Sequence, residues 1–313
     1  MDASLVVKRI HMWLKKYNRG EVTFPPEYLE EYVANVKSRI NKSNIRKFNL
    51  RMSNLGRPLC QLQQAKRGTP AHRWNEYQLM YTFMVGDMAE LWLILVMQSA
   101  GIPIQDYDIP VKYTFGDQEI SGTADIMIDD KIWDIKTMSA GSFVKYTNFS
   151  GFEDIKKNDP FGYVEQGFAY AAGLGKPFGG WIIMNKNTGD IAISEVPLNY
   201  TAQHKESIER STNIVKKVMA TKDTDPIDKQ FEPMAEVFNK KPTGNMVLHR
   251  TCSMCDFKAS CWPDAIHRPS AMSLAKNPPM VYYTELKYAK DDIKINTDEA
   301  LIIACTIGQN TKT

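Results

Sequence analysis

The stretch Gly122-Thr-Ala-Asp-Ile-Met-Ile-Asp-Asp-Lys-Ile-Trp-Asp-Ile-Lys136 decides the fold. Two runs rich in β-branched and aromatic residues, Thr123–Ile128 and Lys131–Lys136, flank the polar pair Asp129-Asp130. That pattern is a hairpin with a two-residue loop. With Asp129-Asp130 as the loop, Ile128 faces Lys131, and counting back sets Asp125 opposite Asp134. Strand side chains alternate, so Lys136 shares the face of Asp134. Two carboxylates and an amine therefore converge. The opposite face is expected to carry Ala124, Ile126, Trp133 and Ile135 into a core.

Like charges placed opposite each other destabilise a sheet. A divalent cation would offset that cost, since carboxylates suit Mg²⁺ and Mn²⁺. Lys136 would then sit beside the metal, able to orient a water or stabilise a developing phosphorane charge. The plainer alternative is a solvent-facing hairpin whose Asp and Lys form a surface ion pair.

The 313 residues are 43% hydrophobic and 24% charged, which is enough for a sizeable core in one large or two small domains. The net charge of +3 makes any nucleic-acid surface a local patch. No basic start followed by an apolar stretch marks a signal peptide, and the longest apolar run, Leu91–Met97, is too short for a bilayer. Five cysteines, an odd number, without a secretion signal point to a reducing cytoplasm and away from a disulfide framework, and the short apolar runs leave no membrane as partner.

Residues 1–20 form a basic amphipathic helix pattern, and Pro25-Pro26-Glu27 opens a second helix with Lys37 and Arg39 at its dipole-favoured end. Lys42, Arg46, Lys47 and Arg51 are either a solvated face or a phosphate-contacting arm. A helix over 75–100, apolar nearly all round, is expected to be buried, so Glu90 within it needs an arginine, a wet face or a metal. Strands follow at 109–115 and 119–128, then the hairpin, a polar loop over 140–159, and a helix over 160–172. On that helix Gln166 and Tyr170 share a face. Two strands at 180–185 and 191–196, a helix at 200–220 and a linker at 221–244 complete the order. The expected class is α/β, a mixed central sheet flanked by helices.

Cys252-Ser-Met-Cys255 and Cys261 form a C-x₂-C-x₅-C run, with Cys60 far upstream. Four thiolates can close a Cys₄ site for zinc or an iron–sulfur cluster. Cys305 fits no pattern.

Together these motifs resemble the PD-(D/E)XK nuclease superfamily, and within it the RecB-type exonucleases with a four-cysteine iron–sulfur cluster, including CRISPR-adaptation and phage recombination nucleases. The resemblance spans roughly Arg51 to Pro263. It rests on Gly86-x₃-Glu90, Gly122-Thr-Ala-Asp125, Asp134-Ile-Lys136, Gln166-x₃-Tyr170, and Cys60 with Cys252, Cys255 and Cys261. Ala124 departs from a common proline. Glu90 stands where many members have histidine, and an all-carboxylate site leans to Mg²⁺.

The resemblance implies a metal-dependent DNA exonuclease of repair, recombination or phage DNA processing. Asp125, Asp134, Glu90 and the Ile135 carbonyl would hold Mg²⁺ or Mn²⁺, Lys136 would assist the attacking water, and Gln166 and Tyr170 would position DNA or the lysine. The four cysteines would hold [4Fe–4S], with zinc as the alternative. DNA would be the partner, with a single-strand annealing or other recombination protein beside it. The rival readings are a catalytically silent DNA-end-binding module and a zinc-stapled interaction protein. The implied domains are a basic helical extension over 1–50, a nuclease domain over 51–265 and a tail over 266–313.

Overall fold

The computed structural model describes residues 3–41, 48–72, 76–147, 152–157, 159, 161–197, 200–227 and 229–289, with the side chains of 76, 78 and 154 outside that set. Lys42, Arg46, Lys47, Cys305 and the tail from 290 onward lie outside the described residues. The chain divides into two compact units, Met1–Asp228 and Lys229–Thr313.

The first unit runs α1 (Ala3–Asn18), α2 (Pro26–Ile40), a 3₁₀ turn (Met52–Asn54), α3 (Leu59–Lys66), α4 (Glu76–Ser99), β1 (Ile104–Phe115), β2 (Gln118–Ile128) and β3 (Lys131–Met138). It continues through α5 (Ala140–Thr147), α6 (Phe152–Lys157), α7 (Tyr163–Leu174), β4 (Phe178–Asn185), β5 (Ile191–Glu195) and α8 (Thr201–Ala220). The five strands pair in sequence order. All pairs are antiparallel except β3 with β4, which are parallel. A parallel neighbour needs a crossover, and α5 to α7 supply it. The class is α/β with a mixed sheet and helices on both faces.

Each face has its own core. On one, Ile109, Val111, Phe115 and Ile132 pack with Phe168 and Ala169 of α7 and Val215 and Val218 of α8. On the other, Ile126, Ile128, Trp133, Ile135 and Ile182 pack with Val6 and Ile10 of α1 and Leu93, Val96 and Met97 of α4. The N-terminal helix is thus part of this unit's core and not an extension to it.

The hairpin has the expected register, Ile128 facing Lys131, Met127 facing Ile132 and Ile126 facing Trp133. Asp129 and Asp130 both take positive φ, 54° and 58°, as a type I′ turn requires. One expectation fails. Ala124 does not share a face with Ile126: it belongs to the α7 side, with Ile109, while Ile126 belongs to the α4 side. Alternation breaks at Asp125 and at Asp108, its neighbour on β1. Asp108 has φ 50°. The local twist there swaps the faces.

Other expectations also change. The 140–159 segment is not a loop: it holds α5 and α6, short helices that bury Tyr146, Phe152 and Ile155. The first half of α4 is not buried: Tyr77, Met80, Tyr81, Phe83 and Met84 are exposed, and buried side chains begin at Leu91. Among the described residues, Leu79–Ser99 is the one stretch long and apolar enough to cross a membrane. Its buried C-terminal half is what a core helix also provides.

The second unit contains β6 (Met234–Phe238), β7 (Lys241–Val247), α9 (Arg250–Ser253), α10 (Lys258–Cys261), β8 (Ile266–Pro269) and β9 (Met280–Glu285). Its antiparallel sheet has the order β6-β7-β9-β8. Hence residues 221–244 are not simply a linker, and the boundary falls after 228 rather than after 265. The buried Glu236 carboxylate organises this sheet, accepting from Tyr283 Oη at 2.7 Å, Asn245 Nδ2 at 2.8 Å and Thr243 Oγ1 at 2.8 Å.

The start of α7 is fixed tightly. Asp159 accepts from the amides of Gly162 at 2.8 Å and Val164 at 2.9 Å, satisfying donors that a helix start leaves open. Gly162 has φ 77°, and a Cβ there would fall 2.4 Å from Gly56 Cα. Gly162→Ala is therefore expected to cost roughly 2–4 kcal/mol from backbone strain plus overpacking. Chemical denaturation measures it, and an unchanged midpoint would contradict this close approach.

Candidate active site

Asp134 lies at the centre of β3, flanked by β2 and β4, and its side chain is 0% exposed. The β2–β3 ladder ends at Ile126 and Trp133, so Asp125 and Asp134 sit just past the last pair. Asp125 Oδ2 accepts the Ile135 amide at 2.7 Å. Lys136 Nζ donates to Asp134 Oδ1 at 2.7 Å. Asp134 Oδ2 is buried with no hydrogen-bond partner. Asp125 stands within hydrogen-bonding reach of Asp134.

The electrostatics follow from this packing. Burial, helped by the Asp125 charge, raises the Asp134 pKa well above its ordinary value, against the pull of Lys136. Burial also opposes the Lys136 ammonium, but Asp134 and Asp125 together outweigh it and raise its pKa. Lys136 thus stays charged. It balances one carboxylate and leaves the second uncompensated.

Tyr170 and Gln166 reach the same place from α7. Gln166 Nε2 donates to Tyr170 Oη at 2.9 Å, and both side chains are buried. Burial, then Asp125 and Asp134, raise the Tyr170 pKa, so the phenol keeps its proton. Gly122 makes this approach possible. A Cβ at 122 would lie 2.7 Å from Tyr170 Cε1, so the glycine three residues before Asp125 is the seat of the tyrosine ring.

Glu90 comes from α4. Its pKa is pushed up to about 7, first by burial and then by Asp125, with Arg39 opposing. Arg39 Nη2 donates to Glu90 Oε1 at 2.8 Å. The structure thus brings Glu90 near the acid pair and also gives it an arginine. Among the described residues no three His, Cys, Asp or Glu side chains are grouped to hold a metal ion. The Asp125–Asp134 pair nonetheless fits a divalent cation, because Asp134 Oδ2 is buried without a donor and a second carboxylate lies beside Asp134.

Three neighbours escaped the sequence reading. Tyr163 covers Lys136, its ring centroid 5.1 Å from Nζ. It lies three residues before Gln166 and seven before Tyr170, a helical spacing that could have revealed it. Arg57 acts electrostatically on Tyr163, and its Nε is buried without a partner. Arg39 read only as a helix-end charge, and nothing local marks its role.

Cys60 lies on α3 in the first unit. Cys252, Cys255 and Cys261 lie on or between α9 and α10 in the second. All four are of intermediate burial. Cys255 Sγ accepts the Phe257 amide at 3.4 Å, a bond that also suits a ligating thiolate.

No family model and no curated protein matches the chain. A solved structure described as "Crystal structure of SSO0001" superposes with TM-score 0.38 at 12% identity, covering 74% of this chain and 93% of that one. A likeness that slight carries no argument.

The raised Glu90 pKa makes a stability prediction for the metal-free protein. Between about 4.5, the unfolded value, and about 7, the folded chain binds more protons at Glu90 than the unfolded chain does. Stability from this group is full below 4.5 and is lost as pH rises through 7. The loss is at most about 3 kcal/mol. Denaturation in EDTA at several pH values should show Glu90→Gln with a flatter fall over that window than wild type. Parallel curves would contradict the burial of the charge.

Proposed function

We propose that this chain is a divalent-metal-dependent DNA nuclease, an exonuclease of the PD-(D/E)XK kind. The observation that carries the reading is the buried, half-unpartnered Asp134 carboxylate facing Asp125, with Lys136 on its other oxygen. The element order helix, three antiparallel strands, helix, parallel strand agrees with the motif order.

Asp125 and Asp134 would hold Mg²⁺ or Mn²⁺, with Glu90 and the Ile135 carbonyl as further ligands. When bound, the ion supplies Lewis-acid polarisation of the phosphate and a water of lowered pKa. Lys136, kept protonated by its acidic neighbours, donates to the attacking water or to a phosphate oxygen and balances developing negative charge. Gln166 occupies the Tyr170 oxygen as donor, which leaves the phenol proton to point at a carboxylate or a phosphate. Tyr163 shields Lys136 from bulk water.

Digestion of end-labelled linear and circular DNA with Mg²⁺ or Mn²⁺ tests the reading. Linear DNA should be degraded from its ends and circles spared. Asp134→Asn should lower the rate by on the order of a thousandfold or more. Lys136→Ala should lower it by roughly 10²–10⁴-fold. Both should retain DNA binding. Digestion at wild-type rates by either folded variant would remove the site assignment, and DNA binding without any cleavage by wild type would favour the silent end-binding module.

The cysteines extend the proposal. Cys60, Cys252, Cys255 and Cys261 would ligate [4Fe–4S], a structural group with no step in the reaction. Protein purified without oxygen should be brown, with about four irons per chain. Cys255→Ser should bleach it while Asp134→Asn does not. Stoichiometric zinc without iron or acid-labile sulfide would refute the cluster and leave the nuclease reading standing.

A further inference from the structure

The acidic surroundings of Asp125 extend beyond the catalytic pair, and one side chain answers them. Arg39, in the last turn of α2, enters between α4 and β1. Its Nη2 donates at once to Glu90 Oε1 at 2.8 Å and to Asp108 Oδ1 at 2.7 Å. Its Nη1 is 3.7 Å from Asp87 Oδ1. The Arg39 and Glu90 side chains are 16% and 15% exposed, so that pair is largely desolvated, while Asp108 and Asp87 border solvent. Asp108 is turned toward it by its left-handed backbone, φ 50°, an unusual conformation for a residue within a strand. A cavity of about 200 Å³ adjoins, lined by Asn35, Ser38, Arg39, Asp108 and Thr123.

Two-metal phosphoryl-transfer sites hold their ions about 3.5–4 Å apart and need a second set of oxygen ligands beside the first. Here the oxygens able to form that second set are those of Glu90 and Asp108. One guanidinium nitrogen already serves both. We infer that Arg39 is the built-in second cation of this centre: it neutralises Glu90 and Asp108 in place of a metal ion, so the site takes one divalent ion, at Asp125 and Asp134, and not two. The inference rests on the metal-dependent reading above.

The choice of residue fits the task. A guanidinium stays charged at any working pH and spreads its donors over several acceptors, whereas a metal ion would have to be captured from solution. Removing one partner of such a buried pairing leaves an uncompensated charge. Without Arg39, Glu90 and Asp108 would face each other beside a cavity with room for a hydrated ion. Arg39 is thus a positioning residue. It holds Glu90 by one oxygen and leaves the other free to turn toward Asp125.

The test is a count. Full-length protein, stripped of divalent ions, is titrated with Mn²⁺ at pH 8 by calorimetry. Mn²⁺ is a hard ion for which thiolates compete poorly, so the cysteines do not enter the count. Wild type should bind one ion per chain. Arg39→Gln should bind two, and Arg39→Lys, which restores a cation, should return to one. Two ions in wild type, or one in a folded Arg39→Gln, would overturn the inference. Should Arg39→Gln not fold, Asp108→Asn replaces it: the count should stay at one, and a fall would show Asp108 to be a ligand and overturn the inference. Mn²⁺-dependent DNA cleavage run in parallel separates the two levels. Cleavage with two ions per chain overturns the Arg39 role alone, while no ion and no cleavage overturn the nuclease reading beneath it.

Discussion

A carboxylate with no exposed surface, bonded on one oxygen only, is the constraint around which the first unit is arranged. Burying a charge costs several kcal/mol unless it is paired. Asp134 has Lys136 for one oxygen, no hydrogen bond on the other and the Asp125 carboxylate beside it. Around it, among the described residues, Glu90, Asp108, Asp125 and Asp134 are met by Arg39 and Lys136, with the more exposed Asp87 also 3.7 Å from Arg39. Four acids against two bases leave a deficit of positive charge. The raised pKa values of Asp134 and Glu90 express that deficit, and a single divalent ion would close it.

The fold can tolerate this strain because each charged side chain is carried by a rigid element. β3 lies between β2 and a parallel β4 and cannot shift without breaking both ladders. The crossover helices return α7 over the same spot, where Asp159 fixes its first turn and Gly122 receives Tyr170. From the other face, the apolar half of α4 anchors Glu90 in the core shared with α1. α2 then brings Arg39 to it. A site built on strands and helices holds its geometry better than one built on loops.

The hairpin was legible because its signal is local. Alternation, a two-residue turn and opposed register place Asp125, Asp134 and Lys136 without any long-range information. The Gln166–Tyr170 pair was legible for the same reason, since four residues make one helical turn. Arg39 was not: it meets Glu90 from 51 positions away and Asp108 from 69, and its own helix explains its charge without either. Ala124 was misplaced because period-two counting assumes a regular strand, and the twist at Asp108 and Asp125 is a tertiary feature. α5 and α6 were hidden by their shortness, with one buried side chain in α5 and two described in α6. The β6–β7 hairpin was hidden by its lysines and proline, which read as linker although Asn239-Lys240 takes the positive φ of a tight turn.

The most direct measurement is the anomalous scattering of Mn²⁺ in crystals of the protein, with the Asp134→Asn variant as reference. The account predicts one peak in the first unit, at coordination distance, about 2.2 Å, from Asp134 Oδ2 and an Asp125 oxygen, lost in the variant. Arg39 should remain on Asp108. An ion bound only between Glu90 and Asp108, or no ion at the Asp125–Asp134 pair at saturating Mn²⁺, would contradict it.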